Sequence, residues 1–207
     1  MTTAEIEIEP HKAQHLEALA SLPENGRAPW LHRVHAAGVA RFQQTPFPNS
    51  RMEEWRETNV SPIVNAGYRS LVQPPMHGLT KQHVAPYFYG EGTWTELVFV
   101  NGFFAPELSC TPALPEGVTA GSLAEALAGE GTAVAETHLG QYLADHSAFT
   151  ALNSAFVQDG ALLHVARNAA TDHPIHFLFF TTPEAEKSLA HIRNLYVLES
   201  GAQANVV

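Results

Sequence analysis

A chain of 207 residues with 45% hydrophobic and 15% charged side chains can bury a core, and this composition is ordinary for a globular protein and argues against a disordered one. Its 21 acidic side chains outnumber the 11 basic ones, and the formal charge of -10 argues against nucleic acid or an anionic membrane as a partner. The amino terminus carries glutamates and no apolar run follows it, so we expect a cytoplasmic protein without a membrane segment.

The first ninety residues carry helical patterns. Residues 10–22 predict a short helix, and residues 28–44 predict a longer one that Pro29 opens and Pro46 ends. Small and apolar residues recur on one face of the longer helix, which predicts that it packs against another element. These residues are Leu31, Val34, Gly38 and Phe42. We therefore expect an N-terminal helical region over residues 1–92.

The segment SRMEEWRETNVSPI, residues 50–63, groups two carboxylates with a tryptophan. Ser50 and Glu53 have the spacing of a capping box, in which each side chain bonds the backbone amide of the other residue, so we predict a capped helix. Glu53 and Glu54 would point about 100° apart on that helix and cannot act as an acid-base pair. Trp55 is expected to anchor the helix, and Trp55→Ala would cost about 3–5 kcal/mol at full burial.

The pattern changes from helix to strand at Trp94. Thr80 is predicted to cap a short helix before this point, and TWTELVFVNG then alternates as a strand does. The pair Asn101-Gly102 is typical of a two-residue hairpin turn. Ser122 is predicted to cap the first of several short helices that are inserted at about residues 122–156.

Four short apolar runs follow Gly160: ALLHVA, PIHFLFFTT, HIRNLYVLES and QANVV. Because no helical pattern lies between them, they fit a sandwich, a barrel or a β-solenoid. The last run ends at Val207 without a polar cap or a helix, so we expect the chain to be the front part of a longer protein. Residues 93–207 are thus predicted to form the start of a strand-rich core.

The motifs of nucleotide binding and nucleophilic catalysis are absent from the sequence. It contains no GxxxxGK[ST], no GxGxxG and no GxSxG. Cys110 is the single cysteine, and no neighbouring residue in the sequence would activate it. We interpret it as a plain thiol that cannot hold an iron-sulfur cluster by itself.

Twelve histidines call for a test of metal binding. The pairs His11/His15 and His32/His35 would each lie on one helical face, but no third ligand stands near either pair in the sequence. His35 also falls on the apolar face of its helix. We therefore predict a packed, hydrogen-bonded histidine there.

The later histidines give no better metal site. His173 and His176 flank the start of a strand and should point to opposite faces, and the HxH spacing of a β-barrel oxygenase is absent. Asp172 and Glu199 are predicted to be solvated surface carboxylates. We predict no catalytic, cofactor-binding or metal-binding residue, and no enzyme activity.

Several blocks of sequence stand in a distinctive order, beginning with EEWRETN and LVFVNGFFAPELS. The first resembles the EEW element of the SufB/SufD family, and the second is similar to its strand-turn-strand signature. FTALNSAFVQDGALLHV and HPIHFLFF resemble its central region, and RNLYVLESGAQANVV resembles the start of its next rungs. The EEW region and the FVNG segment are more similar to the SufD branch than to SufB.

The resemblance implies a scaffold subunit of the SUF iron-sulfur cluster assembly complex, which acts through SufB-type and SufC-type (ABC ATPase) partners. It implies an α+β fold, in which the helical region leads into the first rungs of a right-handed parallel β-helix. It also implies that an iron-sulfur cluster, and by the same analogy a flavin, associates with the full complex and that none is bound by this part. An alternative is a histidine-rich, metal-dependent β-barrel enzyme of the cupin type, with His164 and His176 as test positions.

Overall fold

The computed structural model describes residues 10–22, 28–129, 132–142 and 147–207, and it shows a mixed α+β chain with small sheets. Its helices are α1 (Pro10–Leu19), α2 (Pro29–Gln44), α3 (Ser61–Asn65), α4 (Lys81–Val84), α5 (Leu123–Ala128), α6 (Thr132–His138) and α7 (Ala148–Phe156). Its strands are β1 (Arg69–Ser70), β2 (Thr95–Val100), β3 (Phe103–Phe104), β4 (Val118–Ser122), β5 (Ala161–Val165), β6 (Ile175–Phe180), β7 (Ser188–Leu189) and β8 (Leu195–Leu198). Within the ranges described, each helix is too short or too polar to cross a membrane.

The chain divides into two compact units, each of which is described by itself. Unit 1 holds the described residues of Met1–Gln73, Gly140–Val157 and Lys187–His191. Unit 2 holds those of Pro74–Leu139, Gln158–Glu186 and Ile192–Val207.

Unit 1 is built on the packing of α2 against α7. Gly38 makes the close approach possible, because a Cβ at that position would lie 2.5 Å from the backbone nitrogen of Ala155. The predicted apolar face of α2 is confirmed, since Leu31, Gly38 and Phe42 are buried. The buried core consists of Leu22, Phe42, Ala148, Ala151, Leu152, Ala155 and Phe156.

The short helices that we predicted at about residues 122–156 include α6 and α7. Helix α6 ends at His138, and α7 begins after Ser147, whose hydroxyl accepts a hydrogen bond from the Thr150 amide. Residues 143–146 lie outside the described residues. Ser147 itself is the N-cap of the second helix.

The predicted capping box of Ser50 and Glu53 is wrong. Met52 is extended (φ -83°, ψ 128°), so the chain enters only a short 3-10 turn, Glu53–Trp55, and no side chain caps that turn. The Glu53 carboxylate instead forms an exposed ion pair with Arg56 at 3.3 Å. An extended residue between two capping-box partners breaks the helical geometry that the box requires.

Trp55 is half-buried. Its ring lies 6.4 Å from the ring of Phe149, which in turn lies 5.4 Å from Phe47. The loss of about 3–5 kcal/mol in stability that we predict for Trp55→Ala requires a fully buried ring, so it does not apply here. Trp55 still packs against an aromatic side chain of unit 1.

Unit 2 contains two three-stranded sheets, with strand orders β3-β2-β6 and β4-β5-β8. Each sheet contains one parallel pair: β2 pairs with β6, and β5 pairs with β8. One antiparallel pair completes each sheet, β2 with β3 in the first and β4 with β5 in the second, and β4 and β5 are also distant in sequence. The predicted hairpin turn is confirmed, since Asn101 (φ 53°) and Gly102 (φ 92°) join β2 to β3 in the left-handed conformation that this turn needs.

Alternate residues of β2 face two different cores. Leu97 and Phe99 join a core that also contains Leu163 of β5. Val98 and Val100 face the opposite side, where they belong to a second core. The members of this second core are Val84, Val98, Val100, Ala105, Leu108 and Leu178. Since strand side chains alternate, Glu96 lies on the same face of the sheet as Val98.

Two predicted helix caps in unit 2 are confirmed. Thr80 and His83 form a capping box at α4, in which the Thr80 amide donates to His83 Nδ1 at 3.0 Å. The Ser122 hydroxyl accepts from the Glu125 amide at 3.2 Å and so caps α5.

The last predicted strand, QANVV, is a pair of isolated bridges and not a regular strand. Gln203 pairs with Ala170, and Val206 pairs with Ile175, both in the parallel sense. Residues 95–100, 175–180 and 206 thus lie side by side in parallel. These pairings are open sheets, and the β-helix stays a prediction.

Candidate functional site

Three reactive side chains form a row across one sheet of unit 2. Glu96 of β2 is in register with His176 of β6 on one side, and it pairs with Cys110 on the other side through an antiparallel bridge. The backbone amides of Glu96 and Cys110 each donate to the other residue's carbonyl at 2.8 Å. Directly paired residues project to the same face of a sheet, so the thiol, carboxylate and imidazole share one face. We call Cys110, Glu96 and His176 the 96 row.

Glu96 is fully buried, and only one of its carboxylate oxygens has a partner. Its Oε1 accepts a hydrogen bond from the Tyr89 amide at 2.8 Å and lies 3.2 Å from His176 Nδ1. Its Oε2 is buried without a hydrogen-bond partner. A carboxylate has room for about four hydrogen bonds, so an unpartnered, dehydrated oxygen carries a free-energy penalty.

The segment that follows α4 covers the 96 row. The Tyr89 ring stacks on the His176 ring with centroids 5.4 Å apart and planes inclined by 14°. The Cys110 thiol lies 3.9 Å from the carbonyl oxygen of Gly92. Tyr89 itself is 63% exposed, so a single surface ring separates His176 from solvent on this side.

The geometry of the 96 row excludes a cysteine-histidine nucleophile. Cys110 and His176 are two strand positions apart, about 10 Å between their backbones, with Glu96 between them. A nucleophile and its base must lie within hydrogen-bond reach of each other. Over residues 10–22, 28–129, 132–142 and 147–207, no group of three His, Cys, Asp or Glu side chains is placed so that it could hold a metal ion.

A second buried carboxylate, Asp159, is fully satisfied. Its Oδ1 accepts from the Ser122 hydroxyl at 2.7 Å, the Gly160 amide at 2.8 Å and the Ala124 amide at 3.1 Å. Its Oδ2 accepts from the Phe104 amide at 2.8 Å. Asp159 therefore joins the start of α5 to β3, and its role is structural. Charge-assisted hydrogen bonds of this kind are the strong ones in proteins.

Unit 1 contains a buried cluster of two imidazoles around one hydroxyl. The Oγ of Ser70 lies 2.9 Å from His15 Nδ1 and 2.8 Å from His191 Nε2, so one ring donates to the hydroxyl and the other accepts from it. His191 also stacks on Phe156 with centroids 4.5 Å apart. Burial lowers the pKa of His15, and burial followed by repulsion from His15 lowers the pKa of His191 to about 3. Both rings are therefore neutral at pH 7.

The histidine pairs of the helices are divided between core and surface. In each pair the first residue, His11 or His32, is exposed, and the second, His15 or His35, is buried. The ring of His35 lies 2.8 Å from the carbonyl oxygen of Val157, which confirms the predicted hydrogen-bonded core histidine.

Both later carboxylates, Asp172 and Glu199, are exposed, as we predicted. Glu199 in addition makes two contacts: its Oε1 lies 2.9 Å from His164 Nε2, and its Oε2 accepts from the Arg167 amide at 3.1 Å. The hydrogen bond with His164, then that from Arg167, lowers the pKa of Glu199.

Sequence reasoning missed the 96 row. Cys110 was interpreted as a thiol without reactive neighbours, yet Glu96 is its direct pairing partner. Eighty residues separate Glu96 from His176, so only the register between β2 and β6 brings them together. One signal was available: a glutamate stands within the otherwise apolar strand TELVFV.

Comparison with known proteins gives two matches. The profile described as the SufBD protein N-terminal region matches residues 13–177. An iron-sulfur cluster assembly SufBD family protein of Synechocystis sp. is 30% identical over 160 residues, which cover 77% of this chain and 34% of that protein. The chain therefore spans about a third of the length of that relative.

Proposed function

The chain belongs to the SufBD family, and on that premise we propose that it serves iron-sulfur cluster assembly as a scaffold subunit. The observation that carries the proposal is the family match over residues 13–177, which is most of the chain. The name of the similar Synechocystis protein assigns that protein to iron-sulfur cluster assembly. The resemblance of the EEW and FVNG segments favours the SufD branch within the family.

The strand pairing supports the architecture that belongs to this proposal. A solenoid of parallel coils brings together strands that are distant in sequence, and each coil packs only on its neighbours. Parallel pairs join β2 to β6 and β5 to β8, and the bridge at Val206 extends the first of these sheets by one more segment. This arrangement is the one expected for the first coils of a β-helix, which we retain as part of the proposal.

A scaffold acts through partners, and we propose SufB-type and SufC-type subunits for this role. The geometry favours binding over chemistry, since Asp159 and the Ser70 cluster are satisfied internally and the 96 row lacks a nucleophile-base contact. A cytoplasmic location, and an iron-sulfur cluster or flavin held by the assembled complex, belong to the same proposal.

Co-purification tests the partner proposal. A tagged full-length protein containing this chain should retain SufB-type and SufC-type subunits under reducing conditions, whereas residues 1–207 alone should not retain the SufC-type subunit. A matched variant, Cys110→Ser, should bind the same partners, because the proposed role does not use the thiol. Failure of the full-length protein to associate with either subunit would contradict the proposal.

The cupin-like enzyme is the weaker candidate. The two histidines at which it would be tested lie in different sheets, His164 in β5 and His176 in β6, and each already contacts its own glutamate. Family membership also favours the assembly role. If the protein were an enzyme of this type, the purified chain would contain a bound metal. Both His164→Gln and His176→Gln would then lose that metal.

A further inference from the structure

The negative charge of the chain is concentrated in unit 2. This unit contains 12 of the 21 acidic side chains but only three of the 11 basic ones, which are Lys81, Arg167 and Arg193. Its formal charge is therefore -9, out of -10 for the whole chain. A surface of one sign steers partners of the opposite sign towards it and repels those of its own sign. The charge of unit 2 thus favours a basic partner.

One segment of unit 2 presents exposed aromatic rings. Residues 74–92, which we call the strap, pack their apolar side chains on the face of β2 and β6 that forms the second core. Phe88 of the strap points into that core, whereas its neighbours Tyr87 and Tyr89 are 53% and 63% exposed. Tyrosine is enriched in protein interfaces, because its ring supplies a large contact area with few rotatable bonds.

Both exposed rings are held in place by β6. The Tyr89 ring stacks on His176 with centroids 5.4 Å apart, and the Tyr89 amide donates to the Glu96 carboxylate at 2.8 Å. The Tyr87 ring packs against Phe180 in an edge contact, with centroids 5.3 Å apart. The rings are therefore ordered before a partner arrives, which lowers the entropy cost of binding.

Carboxylates accompany both rings. Glu91 follows Tyr89 by two residues, Glu184 follows Phe180 by four, and both glutamates are exposed. A hydrogen bond from the Thr182 side chain, then one from its own backbone amide, lower the pKa of Glu184, so it is ionised at pH 7.

The buried carboxylate of the 96 row adds to this charge. Glu96 bonds the backbone of Tyr89, and its Oε2 has no hydrogen-bond partner, so its charge is only partly compensated within the fold. Against these carboxylates the sequence of the strap offers one lysine, Lys81, and no arginine. A cation placed over the rings would therefore be attracted.

We propose that the strap docks an extended, arginine-containing segment of a partner protein on Tyr87, Tyr89 and Glu184. A guanidinium group stacks on an aromatic face and pairs with a carboxylate in the same position, which suits this combination of side chains. The inference deepens the scaffold proposal and rests on it, because a scaffold needs surfaces on which its partners dock.

The spacing of the rings sets the spacing of the arginines. The β6 residues that support the rings, His176 and Phe180, are four positions apart, which is about 13 Å along a strand. Arginines at positions i and i+4 of an extended segment span the same distance, and both project from one side of that segment.

An NMR titration of the isotope-labelled 207-residue chain with the peptide GRGSGRG tests the proposal. We expect saturable shifts of the amide resonances of the strap and β6, with an affinity that falls as the salt concentration rises. The matched peptide GQGSGQG, which lacks the two charges, should cause no saturable shift.

Variants separate the contributions of ring and charge. Tyr89→Leu should weaken peptide binding about twofold to fivefold, the range of an exposed cation-π contact, whereas Tyr89→Phe keeps the ring and should bind as the wild type does. Glu184→Lys should weaken binding at least about fivefold, because it places a like charge beside the arginine. The controls Tyr142→Leu and Glu116→Lys change an exposed tyrosine of unit 1 and an exposed glutamate before β4, and both should leave the affinity unchanged.

Several results would overturn the proposal: no saturable shift, shifts that lie away from the strap, equal binding of the glutamine peptide, or equal affinities of Glu184→Lys and Glu116→Lys. Strap resonances that shift with the concentration of the chain itself would assign the surface to a second copy and contradict the proposal as well. Circular dichroism verifies that each variant is folded, and Tyr87→Leu replaces Tyr89→Leu should the latter not fold.

The scaffold role is tested by a separate measurement. Loss of peptide binding, with partners still retained by the full-length protein, contradicts this docking surface and leaves the scaffold proposal intact. Failure of the full-length protein to retain its partners contradicts the scaffold role itself.

Discussion

The two units each hold a buried group of polar side chains, and the two groups differ in one respect. In unit 1 the Ser70 hydroxyl is shared between His15 and His191, so each contact in the cluster has a donor and an acceptor. In unit 2 the row around Glu96 has one carboxylate oxygen without a partner. A satisfied network specifies and stabilises a fold, whereas an incomplete one costs free energy unless a ligand completes it. The difference separates a polar cluster that is complete within the fold from one that is not.

Removal of the Asp159 carboxylate, whose two oxygens both accept hydrogen bonds, should have the largest effect on stability. Asp159→Ala leaves the amides of Phe104, Ala124 and Gly160 and the hydroxyl of Ser122 without their acceptor. Hydrogen bonds to charged groups contribute about 1.5–3 kcal/mol each and are not additive, so we expect a loss of about 3–5 kcal/mol in the free energy of unfolding. Urea denaturation measures it.

Asp172→Ala is the matched control, because that carboxylate is exposed, and its effect should stay within about 0.5 kcal/mol. A similarly small effect for Asp159→Ala would show that the Asp159 network is not a stabilising one.

Acid should weaken unit 1 through its neutral histidines. The pKa of His191 is lowered to about 3, from an ordinary value of 6.5, so between these values the unfolded chain binds a proton that the folded chain excludes. Stability therefore falls as the pH falls below 6.5, by up to about 1.4 kcal/mol per pH unit from this group, and His15 adds in the same direction.

Thermal unfolding from pH 7 to pH 4.5 checks this dependence. His191→Gln should reduce the dependence of the melting temperature on pH. His11→Gln, at an exposed position, should leave that dependence unchanged. A wild-type profile that stays flat over this range would contradict the burial of neutral imidazoles in unit 1.

Loss of the shared hydroxyl in unit 1 should have an intermediate effect. Ser70→Ala leaves His15 and His191 without their common partner, and unsatisfied buried polar groups cost about 1–3 kcal/mol. The matched control is Ser50→Ala, at an exposed serine that does not cap the following turn, and we expect a change within about 0.5 kcal/mol. Chemical denaturation of both variants measures the difference, and equal values would refute the assignment of Ser70 as the centre of the cluster.

Substitution in the 96 row should have the smallest effect on stability. Glu96→Gln preserves the shape and the acceptor for the Tyr89 amide while it removes a buried charge that is only partly compensated. We expect a change of less than about 1 kcal/mol in the free energy of unfolding, in either direction. A loss as large as that for Asp159→Ala would mean that Glu96 is a structural carboxylate.

Local signals in the sequence predicted local features of the fold. Pro29 and the apolar face of α2, the Asn101-Gly102 turn and the Ser122 cap each depend on neighbouring residues, and the structure confirms them. The capping box at Ser50 failed because Met52 is extended, and spacing alone does not report the backbone conformation between two partners.

The candidate site could not be predicted in the same way. Glu96, Cys110 and His176 come together only through the register of paired strands, which depends on tertiary packing and not on any short motif. The hydrogen-bond donors to Asp159 could not be predicted for the same reason, since the Phe104 amide and the Ser122 hydroxyl come from two segments that are distant from Asp159 in the sequence. The family, in contrast, was identified from blocks of sequence, and the match over residues 13–177 agrees with it.

The comparison between the two units is tested most directly by urea denaturation of Ser70→Ala and Glu96→Gln side by side. We expect a loss of about 1–3 kcal/mol in the free energy of unfolding for Ser70→Ala and a change of less than about 1 kcal/mol for Glu96→Gln, because only the first removes a group that completes a buried network. Equal losses in the two variants would contradict this account.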